Sequence, residues 1–147
     1  MALVGNMIAT STAGNSALVN YDIFVAVFGM LSLLYLLPSA FMESFNVPMV
    51  SIALDALNVL FWFCAAVATA AYLGVHSCGN AAYTRTNQIT NGSPNTKKRC
   101  HEAQAATAFL WFGWAAFVAS LAFSAMSGRG NMNMRGGLRR GPSMSQV

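Results

Sequence analysis

Three stretches of this chain hold no charged side chain: Ile23 to Met42, Ala56 to Thr84 and Ala103 to Gly128. All are dominated by Ala, Val, Leu and aromatic residues. A helix of about 20 such residues rises roughly 30 Å, the thickness of a bilayer's hydrocarbon core. Of the 147 residues, 8% are charged and 56% hydrophobic, too little polar surface for a soluble domain of this size. The chain therefore reads as an integral membrane protein. In hydrocarbon every backbone polar group must be satisfied internally, which leaves helices or a closed barrel. Barrel strands alternate apolar and polar residues, and Leu60-Phe61-Trp62-Phe63-Cys64-Ala65-Ala66-Val67 does not. The expected fold class is all-α, a small antiparallel bundle of three membrane helices.

The hydropathy pattern puts the spans at about 19–37, 49–75 and 103–127. Pro38 is expected to end the first, and Pro48 to precede the second at a position where a missing N–H costs nothing. The second is longer than a bilayer requires and should tilt or protrude. Within residues 1–18, Met1–Ala9 is apolar, but Thr10 to Ser16 interrupts it before it can span, and no positive n-region marks a signal peptide. This segment reads either as a loosely structured terminus or as the remnant of a further helix. Residues 19–127 form the transmembrane domain. Residues 128–147, rich in Gly, Ser, Met and Asn without an apolar period, read as a disordered basic tail.

Charge does not settle which way the bundle faces. Arg129, Arg135, Arg139 and Arg140 lie on the tail's side, and Arg85, Lys97, Lys98 and Arg99 lie in the loop 76–102, a tie under the positive-inside rule. The cysteines break it. Cys64 falls inside the second span and reads as a small packing residue. Cys78 and Cys100 bracket the loop near the ends of neighbouring antiparallel helices. A disulfide there closes the loop with about 3 kcal/mol of stabilisation and implies an oxidising compartment, hence an outer loop and a cytosolic tail. His76 and His101 beside them leave a zinc site as another reading, and free thiols as a third. Asn91-Gly92-Ser93 is a glycosylation sequon in the same loop, although Pro94 follows it directly.

Asp55 lies well inside the second span, with Asn58 one turn on along the same face. An intramembrane carboxylate costs several kcal/mol unless partnered and marks either a function or an anchor. On an antiparallel layout its depth matches Ser32 in the first span and Ser120 in the third. The favoured reading is an interhelical hydrogen-bond anchor, and the alternative is a proton or cation site in a small transporter or channel subunit. Small residues recur every fourth position, at Ala66, Ala70 and Gly74 and at Ala116, Ser120, Ser124 and Gly128, spacing that allows close helix approach in lipid. No Gly-rich phosphate loop, paired intramembrane carboxylates or Ser-His-Asp set appears, so no enzyme activity, cofactor or nucleic-acid partner is implied. The tail arginines Arg129, Arg135, Arg139 and Arg140 suit an anionic inner leaflet at roughly 1 kcal/mol each. Ser143 after Arg140-Gly141-Pro142 could accept a phosphate, and Ser145-Gln146-Val147 has the form read by PDZ-type domains.

Several short segments together resemble a family. Leu54-Asp55-Ala56-Leu57-Asn58, His76-Ser77-Cys78-Gly79-Asn80, Gln88-Ile89-Thr90-Asn91-Gly92-Ser93, Arg99-Cys100 and Gln104-Ala105-Ala106-Thr107-Ala108-Phe109-Leu110, with Val19-Asn20-Tyr21 and the Ser145-Gln146-Val147 ending, are similar to fungal MARVEL-domain proteins of the non-classical export protein family. The resemblance covers nearly the whole chain. It implies a plasma-membrane protein that organises eisosome-associated lateral domains and responds to sphingolipids. Its partners would be membrane lipids, further copies of itself or other membrane-domain proteins. It also implies cytosolic termini and an outward loop between the last two helices. MARVEL proteins have four spans, so residues 1–18 read as the end of a first helix plus an outer loop, with Met1 an internal methionine of a longer product.

Overall fold

The computed structural model describes the backbone of residues 1–12, 14–42 and 47–137, and side chains as far as Met126. Among the described residues the regular structure is all helix: α1 (Ala2–Ala9), α2 (Ala17–Phe41), α3 (Pro48–Leu73), α4 (Ala81–Thr86) and α5 (Thr96–Gly137). Helices α2, α3 and the part of α5 from Thr96 to Met126 are long and apolar enough to cross a membrane. The connections make them antiparallel neighbours, with α3 packed against both α2 and α5. The short helix α1 rests on α5 and α2, and α4 rests on α5.

The centre of the bundle is set by one large ring and two glycines. Trp62 on α3 lies against Gly29 of α2, where an added Cβ would come within 3.0 Å of the indole, and against Gly113 of α5, where a Cβ would overlap the ring. Glycine at those two sites lets the backbones approach, the usual means of helix association in lipid. Val25, Ala65, Ala66 and Leu110 are buried around this point. A second cluster, at the loop end, joins Val4, Met7, Val19, Leu73, Ile89, Ala103 and Ala106. It draws on α1, α2, α3, α5 and the loop, so the loop is part of the packed body.

Several boundaries differ from expectation. Helix α2 runs through Pro38 to Phe41 instead of stopping at residue 37. Proline removes one backbone bond so close to the helix end that little is lost, and the Met42 N–H still closes onto the Pro38 carbonyl at 2.9 Å. Helix α3 stops at Leu73, two residues early, because Gly74 takes a left-handed conformation (φ 61°) that favours glycine. Helix α5 begins seven residues before the expected span. Asn95 caps it, accepting the Lys98 N–H at 3.0 Å, and a charged first turn is no obstacle where a helix stands clear of hydrocarbon. At its other end α5 continues to Gly137, so residues 128–137 are helical where an irregular tail was expected. Propagating an existing helix fixes one residue per hydrogen bond gained. Residues 2–9 are likewise helical, with Val4 and Met7 buried, and not a loose terminus.

The side chains of Arg129 and Arg135 lie outside the described residues, as do Arg139, Arg140, Ser143 and the Ser145-Gln146-Val147 terminus.

Candidate functional site

Two groups of polar side chains lie within this framework, one between the helices and one at the loop end. In the first, Asp55 is completely buried. Ser120 Oγ donates to both its carboxylate oxygens at 3.0 Å, and Ser124 Oγ donates to Oδ2 at 3.0 Å. Ser120 and Ser124 are one turn apart on α5, so the i,i+4 spacing presents two hydroxyls to one carboxylate. The partner expected on the first span is absent from this set: Ser32 Oγ donates to the Phe28 carbonyl of its own helix at 2.9 Å. α3 stands between α2 and α5, and its Asp55 face turns to α5. Asn58, also fully buried, donates from Nδ2 to the Leu54 carbonyl at 2.9 Å. Its Oδ1, the buried Ser51 Oγ and the Trp62 indole N–H have no hydrogen-bond partner among the described residues.

A second interhelical carboxylate was not anticipated. Asp22 on α2 is buried and accepts the Thr69 hydroxyl of α3 on both oxygens, at 3.2 and 3.0 Å. Thr69 is 14 residues beyond Asp55 on α3, about 21 Å along its axis. The bundle therefore has one carboxylate–hydroxyl contact near each end, one joining α2 to α3 and the other α3 to α5. Asp22 sits just before Ile23, where the first uncharged stretch begins.

The loop end is bound by a clasp. Cys78 and Cys100 form a disulfide, S–S 1.96 Å, with both residues buried. It takes up both thiolates that a zinc site would require. Among the described residues, no group of three or more His, Cys, Asp or Glu could hold a metal. Arg99, counted above among the charges of the loop, is 2% exposed. Its guanidinium donates from Nε to the Ile89 carbonyl at 2.7 Å, from Nη1 to the Met7 carbonyl at 2.9 Å and from Nη2 to Asn15 Oδ1 at 3.1 Å. One side chain thus ties α5 to the loop, to the end of α1 and to the segment entering α2. Asn6 on α1 donates to Glu102 of α5, which also pairs with Lys98 at 3.8 Å. Thr12 N–H reaches the Gly92 carbonyl at 3.0 Å.

Loop side chains also finish the end of α3. Its last carbonyls have no helical donor. Tyr83 Oη donates to that of Leu73, and Asn87 Nδ2 donates to that of Tyr72 at 2.7 Å. Burial pushes the Tyr83 phenol above its ordinary pKa. His76 meets the Tyr83 ring edge-on at 4.5 Å. Asn91 is exposed. Cys64 is exposed on the outer face of the bundle instead of packing between helices, because Ala65 and Ala66 take the inward positions.

The arrangement defines a class: a polytopic α-helical membrane protein, with polar contacts between its spans and its loop end cross-linked. The chain belongs to the MARVEL family, described as a membrane-associating domain, which matches residues 1–123. It is 36% identical over 127 residues to Non-classical export protein 2 homolog 1 of Saccharomyces cerevisiae, covering 86% of this chain and 71% of that one. It is 36% identical over 143 residues to Non-classical export protein 2 of the same yeast, with 90% and 81% covered. It is 39% identical over 153 aligned residues to Non-classical export protein 102 of Candida albicans, with 100% and 88% covered. No solved structure matches the chain.

Proposed function

We propose that this protein is a non-enzymatic organiser of lateral domains in the plasma membrane, of the eisosome type. In this reading it responds to sphingolipids and contributes to non-classical protein export. The observation that carries the reading is how the spans distribute their surface. Fewer than a third of the residues in the core of each span are buried. Phe24, Leu31, Leu34, Phe109, Phe112 and Phe123 point outward. Such a body meets its surroundings mainly through lipid contact, and differential affinity for two lipid environments is enough to sort it between them. The clasp at the loop end holds the helix register fixed while that sorting occurs.

In the same reading the disulfide loop faces outward, Asn91 with it, and the C-terminal end of α5 faces the cytosol. Arg129, Arg135, Arg139 and Arg140 then lie against the anionic inner leaflet. Fluorescence imaging of the tagged full chain tests this. Static plasma-membrane patches that disperse when sphingolipid synthesis is blocked are expected, with looser residence when Arg135, Arg139 and Arg140 are changed together to Gln. A uniform distribution, indifferent to sphingolipid depletion, would sink the organiser reading.

A further inference from the structure

We propose that the oxygen cluster around Asp55 binds a single alkali cation between α3 and α5. Asp55 lies seven residues beyond Pro48, about 10 Å along the helix, and is completely buried. Among the described residues the only ion pair is Lys98–Glu102, so no described cation balances its charge. An unpaired ion in a low-dielectric interior costs several kcal/mol.

Two further oxygens on the same face of α3 are buried without a partner among the described residues: Ser51 Oγ, four residues before Asp55, and Asn58 Oδ1, three residues after it. Residues at these spacings are neighbours on a helix surface. The Asn58 amide is held by its Nδ2 bond to the Leu54 carbonyl, which leaves Oδ1 as the free acceptor. Ser120 and Ser124 donate their hydroxyl protons to Asp55, and each keeps oxygen lone pairs for another ligand. Ser51, Asp55, Asn58, Ser120 and Ser124 thus offer oxygen alone, the donor set of a hard cation. One carboxylate matches one positive charge, whereas a divalent ion would leave a net charge buried. The inference does not depend on the organiser reading, since a bound ion could be structural or mobile.

The test is thermal unfolding of the full chain in lipid nanodiscs, in LiCl, NaCl, KCl or N-methylglucamine chloride at fixed ionic strength and pH. A saturable rise in Tm with at least one alkali cation over N-methylglucamine is expected. Asp55→Asn, which keeps the hydrogen-bonding shape without the charge, should abolish it. If that variant fails to fold, Asn58→Leu should weaken the apparent affinity about tenfold. A wild-type Tm indifferent to the cation would overturn the proposal, as would a cation effect of unchanged size in the folded variants.

Discussion

Replacing Arg99 with lysine keeps a positive charge at the loop end but removes the planar fork that reaches three acceptors at once. The guanidinium spans the Ile89 and Met7 carbonyls and Asn15 Oδ1, at 2.7, 2.9 and 3.1 Å. A single ammonium nitrogen on a shorter head cannot meet acceptors arranged around a fork. Hydrogen bonds to charged groups contribute about 1.5–3 kcal/mol each, and an abandoned buried acceptor adds its desolvation cost. With one or two of the three lost, Arg99→Lys should destabilise the clasp by about 3 kcal/mol. For a chain of this size that corresponds to roughly 6–12 °C in melting temperature if the clasp unfolds with the rest. Arg99→Gln removes the charge as well and should cost about 3–5 kcal/mol. Amide exchange locates the damage. Gly92 packs tightly here, since a Cβ on it would come within 3.0 Å of the Gly14 carbonyl and 3.3 Å of Arg99 Cζ. The Thr12 amide, bonded to the Gly92 carbonyl, should therefore exchange faster while the α3–α5 contact stays protected. A lysine variant that melts within about 1 °C of the wild type, with the Thr12 amide unchanged, would refute the clasp.

Gly113→Ala puts a methyl group into the Trp62 ring and should cost about 1–3 kcal/mol. Adding Trp62→Phe should recover part of that loss in a double-mutant cycle followed by thermal melting, whereas strict additivity would show that the two residues do not touch. The disulfide joins residues 22 apart, so Cys78→Ser or chemical reduction should lower stability by about 3 kcal/mol. Cys78 and Cys100 should resist maleimide until reduced, and ready labelling of both before reduction would count against the bridge.

Much of the architecture was legible in the amino-acid order alone. Three uncharged runs of membrane length left no alternative to a helical bundle, because unsatisfied backbone is too costly in hydrocarbon. The positions of Cys78 and Cys100 at the mouths of neighbouring antiparallel helices favoured a disulfide over a zinc site or free thiols, and the structure forms that bridge. Hydropathy is a one-dimensional signal, however, and it sees where charge stops, not where a helix stops. Expected span ends therefore missed the passage of α2 through Pro38 and the early start of α5 at Thr96, which depend on hydrogen bonding of the backbone. The partners of buried polar groups depend on how each helix is rotated about its axis. Depth alone matched Asp55 to both Ser32 and Ser120. Only packing turned it toward Ser120 and Ser124 and left Ser32 bonded to its own helix. Asp22 drew no reading from the sequence, and Arg99 was counted only among the charges of the loop. The folded chain buries them by bringing in acceptors and donors far away in sequence, Thr69 for one and Met7, Asn15 and Ile89 for the other. Composition and order determined that this protein is a helical membrane bundle and marked Cys78 and Cys100 as the pair to watch. The tertiary structure decided which polar atoms meet, because a buried charge is stable only where a particular set of partners converges on it.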